Sequence, residues 1–297
     1  MHQRSQGSFL RSTSQSALST APISRLRLCF ETMSDGRIPV VNDFEYVVRC
    51  LALFPSVYVQ AEHVYGRLSM SMPRTDLIRN FTMPLEISAL ANGCEVKPIQ
   101  AHSIWATLKE CSCCGSPGQI SFYNCFDERF LQISASPDTA LRDWALFLAQ
   151  VSVTPKTQLD GADEAKFEEY PHPVVPVEAE EIKLSKFSFI KLLNKMAMSE
   201  AVFEFSLPTY EFSLKKSFSI HQIYEEEGQL TCRGEEVGFT LSLAAVREYA
   251  VKLEYGVRTL YCLATEQKVI FEISVPDSFE SSEIWNRVLA EVQHLDM

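Results

Sequence analysis

The sequence has 297 residues, of which 46% are hydrophobic, and its 27 Lys and Arg against 38 Asp and Glu give a formal net charge of −11. A chain longer than about 200 residues exceeds the usual size of one domain, so two hydrophobic cores are expected. Non-specific nucleic-acid binding needs clustered cations, so this charge excludes it. No apolar run reaches the roughly 18 residues that would span a bilayer, which excludes membrane insertion.

Residues 1–35 are predicted to be a disordered leader outside the fold. Residues 1–30 contain four arginines and no acidic residue, and such a segment buries too little apolar surface to fold alone. Two interpretations remain open. The segment resembles a transit peptide, or it is an extension that precedes a true start at Met33.

Residues 40–152 are predicted to form one α+β unit. Its opening helix follows a cap at Asn42 or Asp43 and carries apolar residues at helical spacing, namely Phe44, Val47, Val48 and Leu51. Alternating residues then predict strands, among them a hairpin formed by the stretches ISFYN and FLQIS. A closing helix has Trp144 on its apolar stripe, so this indole is expected to be buried.

Residues 153–181 are predicted to be a solvated linker. The segment combines four prolines with eight acidic residues, which disfavours a packed core and stiffens the chain. The boundary between two domains is therefore placed here.

Residues 182–295 repeat the plan of the first half. The opening helix is predicted to bury one face, made of Phe187, Ile190, Leu193 and Ala197. Strands are predicted at 202–207 and 218–224, then further strands, and then a closing helix with Trp285 on its apolar stripe. The predicted fold class is therefore α+β, a pseudo-symmetric tandem duplication of an antiparallel-sheet module flanked by helices.

Nine cysteines and no secretory leader indicate a reducing compartment, so a cytoplasmic location is expected. The most conspicuous cluster is Cys111, Cys113 and Cys114. A structural zinc site needs four ligands at defined spacing, and only Cys125 and His102 lie near enough in sequence to complete one. A hairpin loop with free or packed cysteines is favoured, and no metal site is predicted.

Sequence motifs for catalysis and nucleotide binding are absent from the chain. It contains no G-x-S-x-G nucleophile motif, no G-x-G-x-x-G and no P-loop. Catalytic residues are therefore unknown at this stage.

The repeated unit resembles the haem-utilisation proteins of the HemS/HmuS and ChuX/HutX kind. The segments HSIWATLKE and VREYAVKLE are similar to the two copies of the family's aromatic strand, RTLYCLATEQKVIFEIS to the hairpin that follows it, and FSFIKLLNKM to the helix that opens the second copy. The resemblance covers about residues 40–290. It implies a cytoplasmic protein that binds haem between the sheet and the opening helix.

The resemblance also implies a set of haem-binding residues. It places an axial His near the start of the opening helix, where this chain has Phe187, and a second His where it has Met196. Haem iron accepts His, Tyr, Met or Cys donors, so His221, His63 and Met196 are the candidate ligands. Lys109 and Lys252 follow the aromatic strand positions and are the candidate partners for the propionates.

Two functions remain open after the sequence analysis. The first is a haem-binding carrier or haem-processing protein, in which haem or another small hydrophobic anion is the ligand and the haem site is degenerate or intact. The second is a non-enzymatic scaffold or chaperone-like module that binds a protein partner and has lost haem. Haem degradation is implied only by resemblance, so a non-enzymatic role is favoured.

Overall fold

The computed structural model of the chain describes residues 36–77, 101–108, 116–153, 181–209, 213–254, 257–276 and 279–293. The first half contains β1 (Arg37–Pro39), α1 (Phe44–Leu51), β2 (Ser56–His63), β3 (Gly66–Pro73), β4 (Ser103–Thr107), β5 (Gln119–Tyr123), β6 (Arg129–Ala135) and α2 (Leu141–Val151). The second half contains β7 (Glu181–Leu184), α3 (Lys186–Ser199), β8 (Phe203–Pro208), β9 (Ser213–Phe218), β10 (Gln222–Glu226), β11 (Gln229–Arg233), β12 (Val237–Ser242), β13 (Glu248–Glu254), β14 (Val257–Leu263), a short 3₁₀ helix (Thr265–Gln267), β15 (Val269–Ser274) and α4 (Phe279–Gln293).

The two halves use the same strand order. The first half forms β1-β4-β5-β6-β2-β3, and the second forms β7-β13-β14-β15-β8-β9, so each strand occupies the place of its counterpart. Neighbouring strands in both sheets pair antiparallel. The predicted α+β fold with a tandem duplication is thus confirmed.

The two repeats also share a sheet, which the sequence analysis did not predict. Strands β12, β11 and β10 of the second half continue the first sheet beyond β3, giving nine strands in the order β1-β4-β5-β6-β2-β3-β12-β11-β10. The junction is antiparallel and runs from the pair Val237 and Met70 to the pair Leu241 and Gly66. The halves therefore form one body, and 40–152 and 182–295 stay our proposed boundaries for the repeats.

Helix α1 forms as its apolar spacing predicts. Val47, Val48 and Leu51 are fully buried, and the Asp43 carboxylate caps the helix by accepting the Tyr46 N–H at 2.9 Å. The ring of Phe44 packs edge-on against Phe122 on the sheet. The spacing of apolar residues was enough to predict this helix, because a short helix that packs on one sheet buries a single face.

The two tryptophans of the closing helices are buried, as predicted. The Trp144 indole N–H donates to the Thr107 carbonyl at 3.3 Å, and that of Trp285 donates to the Arg258 carbonyl at 2.7 Å. Each indole therefore reaches an end of the corresponding hairpin in its repeat, β4–β5 or β13–β14.

The predicted buried face of α3 is wrong at Phe187, which is 69% exposed. Of the other predicted residues, Leu193 is fully buried, and Ile190 and Ala197 pack partly buried against the core. The most buried apolar residues of the helix are Phe189, Leu192, Leu193 and Met196. Two contacts at the start of the helix determine which of its faces is buried. The Ser185 hydroxyl caps the helix by accepting the Ser188 N–H, and the Phe189 ring stacks on Tyr249 with a centroid distance of 4.4 Å.

Several predictions fall outside the described residues. These are the leader 1–35, the candidate Lys109, the cluster of Cys111, Cys113 and Cys114, and nearly all of the linker 153–181. They stay predictions.

No helix within the described ranges combines the length and the apolar character needed to cross a membrane.

Candidate functional site

The start of α3 is the position at which the family resemblance places the axial His. Phe187 is the second residue of the helix and points to solvent. Met198 lies about three helical turns further along and is 83% exposed. Lys191 and Asn194 lie between them at helical spacing, so these four residues form one stripe. We call this stripe the outer face of α3.

The cations at the start of α3 differ in their pairing. Lys186 is bonded to Glu225 of the edge strand β10 at 3.2 Å, and Lys183 to Glu248 at 3.0 Å. Lys191, which lies one turn after Phe187, has no ion-pair partner among the described residues. It is therefore the cation of the outer face of α3 that can meet an anionic group of a ligand.

A buried hydroxyl lies beneath the first turn of α3. Tyr249 stacks on Phe189, and its hydroxyl has no hydrogen-bond partner among the described residues. Burial, reinforced by the neighbouring Cys262 and Glu225, raises the pKa of Tyr249 above its ordinary value, so the phenol stays protonated. A buried unpaired donor is costly, so a water or a polar ligand atom is the natural partner here.

Lys252 does not lie on the same side of the sheet as α3. Residues of a strand alternate between its faces, and Tyr249 contacts α3 while Lys252, three positions later, faces the other way. There it is only 5% exposed and lies on the same face as a small apolar cluster, made of Ala250, Tyr261, Leu263 and Val269. A ligand on the outer face of α3 would not meet this ammonium group.

His63 lies at the tip of the β2–β3 hairpin, and both of its ring nitrogens are used. Nδ1 accepts the Tyr65 N–H at 3.1 Å, so Nε2 carries the proton and donates to the Ile270 carbonyl at 2.9 Å. This tautomer leaves no ring lone pair for iron. The residue instead ties the first repeat to the second.

The other two candidate donors are separated from each other and from His63. Met196 is fully buried in the core beneath α3. His221 was predicted to lie in a strand, but the structure places it in the exposed link between β9 and β10, where its backbone N–H donates to the Arg233 carbonyl at 2.7 Å. The predicted iron donors therefore do not converge on one site.

These positions decide how well haem fits this chain. The outer face of α3 offers an exposed aromatic ring for a porphyrin and a lysine for a carboxylate, but Phe187 cannot coordinate iron. Within the described part of the chain, no group of three or more His, Cys, Asp or Glu side chains is placed to hold a metal ion. The site fits the ring and charges of haem better than it fits the iron.

Sequence reasoning missed three features of this region. These are the exposed Met198, the buried hydroxyl of Tyr249, and Lys191, which lacks an ion pair within the described ranges. Lys191 could have been found, because it lies four residues after Phe187 and therefore on the same helix face. The Tyr249 hydroxyl lacks a hydrogen-bond partner among the described residues because of long-range packing, which no local sequence pattern reveals.

No protein-family model and no curated protein matches this sequence. Solved structures do match, among them ChuS, described as a heme oxygenase of E. coli, with a TM-score of 0.68 and 10% identity over 90% of this chain and 91% of that chain. Holo-PhuS, a heme-binding protein from Pseudomonas aeruginosa, matches with a TM-score of 0.61 and 9% identity over 84% of this chain and 86% of that chain. The chain thus has the fold of ChuS and PhuS, which confirms at the level of the fold the resemblance to haem-utilisation proteins.

Proposed function

We propose that this protein is a cytoplasmic haem carrier that holds the porphyrin ring weakly and is not an enzyme. Two observations support the proposal. The fold is shared along nearly the whole chain with a heme oxygenase and a heme-binding protein. The outer face of α3 presents Phe187 where the family resemblance places the contact with haem.

The exposure of Phe187 is the observation that carries the proposal. A single exposed aromatic is common on a protein surface, so the weight of this one comes from its position, where the family resemblance places the contact with haem. Burial of a Phe side chain under a ligand gains about 1.5–3 kcal/mol. A porphyrin stacked on this ring would lie near Lys191. A charge-assisted hydrogen bond from that ammonium to a propionate would contribute about 1.5–3 kcal/mol.

The same geometry argues for carriage instead of degradation. Haem chemistry depends on the axial ligand, and the position expected to supply it holds a phenyl ring. Met198 is a possible donor by type, but it lies about 16 Å from Phe187 along the helix axis. A porphyrin stacked on Phe187 would not bring its iron within bonding distance of that sulfur.

Titration with hemin and with metal-free protoporphyrin IX tests the proposal. We expect both to bind at micromolar affinity or weaker and within about threefold of each other, because the protein supplies no bond to iron. Phe187→Ala should weaken both by about tenfold, which corresponds to about 1.4 kcal/mol. The matched control is Phe126→Ala, since Phe126 is 62% exposed but lies on the β5–β6 turn.

Two results would overturn this proposal. Hemin that binds more than tenfold tighter than protoporphyrin IX would reveal an iron donor. Absence of saturable binding for either compound would remove haem as the ligand.

The length of the outer face of α3 favours a second function, that of a scaffold that binds a protein. The two exposed apolar residues, Phe187 and Met198, lie on one stripe about three turns apart, and helix-in-groove complexes place their apolar anchors on one face of a helix. A photo-crosslinking residue placed at 198 should then trap a defined partner that the same residue at 126 does not trap. Loss of that product in Phe187→Ala, together with absence of porphyrin binding, would establish this alternative.

A further inference from the structure

Two adjoining cavities flank the tip of the β2–β3 hairpin, where the two repeats meet. Their volumes are about 690 and 460 Å³, and residues 62–65 line both. Ligand sites in proteins have volumes of about 300–1,000 Å³ and are often found between structural units. None of the described lining residues belongs to α3, so this region is separate from the surface proposed above for haem.

The walls of the cavities are held in place by bonds between the repeats. The His63 ring donates to the Ile270 carbonyl, and the Ser242 N–H donates to the Tyr65 carbonyl at 2.8 Å. Gly66 lies so close to the second repeat that an added Cβ would meet the Thr240 carbonyl oxygen at 3.0 Å. When a ligand binds to a preformed cavity of this kind, ordering of the surrounding side chains and loops costs less free energy.

Exposed apolar side chains are concentrated at these cavities. Val64 and Tyr65 on one hairpin and Phe126 on another line the larger cavity, and Tyr224 lines the smaller one. All four are among the exposed large hydrophobic side chains of the described residues. Because isolated exposed residues of this type are common but clusters are not, the arrangement indicates a binding surface for an apolar group.

The charges of the larger cavity favour a cation. Its carboxylates are Glu62, Asp127 and Glu128, and its cations are Arg129 and Lys268. Both cations are already paired, Arg129 with Glu62, and Lys268 with a residue of the 3₁₀ helix at 3.2 Å. Asp127 and Glu128 remain, and neither has an ion-pair partner among the described residues.

The smaller cavity and the whole chain add to this negative potential. The smaller cavity is lined by Glu62, Glu226 and Glu227 against the single cation Arg67. The net charge of the chain is −11. Like charges repel an anionic ligand, so a dicarboxylate such as haem is disfavoured here, while carboxylates beside aromatic faces attract an organic cation.

We propose that the larger cavity binds an organic cation with a planar or bulky apolar body. The positive group faces Asp127 and Glu128. The apolar part lies against Phe126, Tyr65 and Val64. This proposal does not depend on haem binding at α3.

Fluorescence titration with berberine, a planar quaternary cation, tests the proposal, with the anionic dye 1-anilinonaphthalene-8-sulfonate as its counterpart. We expect berberine to saturate at one equivalent and to bind at least tenfold tighter than the anionic dye. Phe126→Ala should weaken berberine binding about tenfold, and Phe187→Ala should leave it unchanged.

The charge contribution is tested separately with Asp127→Asn. Asp127 has a φ of 60°, a conformation that Asn also adopts, so this variant removes the charge and keeps the turn. We expect a threefold or greater loss of berberine affinity at low ionic strength that shrinks as salt is added. Equal binding of the two dyes, or full berberine affinity in both Phe126→Ala and Asp127→Asn, would overturn the proposal.

Discussion

Replacement of Trp144 or Trp285 by Ala is expected to lower the free energy of unfolding by about 3–5 kcal/mol, the usual cost of truncating a large core aromatic. Trp144 packs against Phe54 and Phe147, with ring centroids 5.6 and 4.9 Å away, and Trp285 packs against Phe203 at 5.8 Å. Each truncation would leave a cavity and remove the indole hydrogen bond to a backbone carbonyl. Total stabilities are about 5–15 kcal/mol, so either change removes a large share.

Urea denaturation followed by circular dichroism measures this effect. Trp105→Ala is the matched control, because Trp105 is half-buried on β4 and donates its indole N–H to the nearby Ser103 hydroxyl. We expect the control to cost less than about 1.5 kcal/mol, within the usual range of changes away from the core. Losses for Trp144→Ala and Trp285→Ala no larger than that of the control would contradict the prediction.

The closing helices were predictable because their signal is local. Trp285, Val288, Leu289 and Val292 recur at helical spacing, and a helix with one apolar stripe has one face to bury. The same reasoning placed Phe187 of α3 on the wrong face. Its sequence carries apolar residues nearly all round, so the buried face was decided by the stacking of Phe189 on Tyr249, which spacing does not reveal.

The sharing of strands between repeats could not be predicted from local pattern. The β11–β12 hairpin alternates apolar and polar residues, with Leu230, Cys232, Phe239 and Leu241 buried. This alternation fits the edge of either sheet equally well. Pairing with β3 is selected by long-range packing, in which Phe239 lies 5.2 Å from Phe205 and 4.5 Å from Phe271, measured between ring centroids.

The turn at Gly118 was predicted correctly, but the sequence pattern supplied only part of the reason for a glycine at this position. Gly118 precedes β5 in a stretch that also contains Pro117 and reads as a turn. The structure gives it a stricter role, since an added Cβ would come within 2.0 Å of the Trp144 indole nitrogen. The indole of the closing helix can reach the Thr107 carbonyl only because this position has no side chain.

The candidate site was less predictable than the fold, and for different reasons at different residues. The orientation of Lys252 was available from the sequence, because strand alternation alone places it on the face opposite Tyr249. The hydrogen bond from His63 to the Ile270 carbonyl could not be predicted from the sequence, because the two residues are 207 positions apart. Residue type indicates which side chains can bind a ligand, whereas packing decides which of them are free to do so.

Substitution of Phe187 by His is expected to convert weak porphyrin binding into iron coordination. The affinity for hemin should rise about tenfold or more and the Soret band should sharpen, while the affinity for protoporphyrin IX should not rise. The exposed position leaves a ring nitrogen of the new imidazole free, unlike those of His63. The positive end of the α3 dipole also disfavours protonation of a His in the first turn, which keeps the neutral form that binds iron.

Any added histidine can bind hemin to some degree, so Phe126→His serves as the control at a similarly exposed phenylalanine on another surface. The gain in Phe187→His should exceed that of the control and should disappear at acidic pH, because a protonated imidazole has no lone pair for iron. Equal gains in the two variants would show that α3 does not hold a porphyrin. The exposed Phe187 and Met198 would then be assigned to a protein partner, the alternative that photo-crosslinking at position 198 tests.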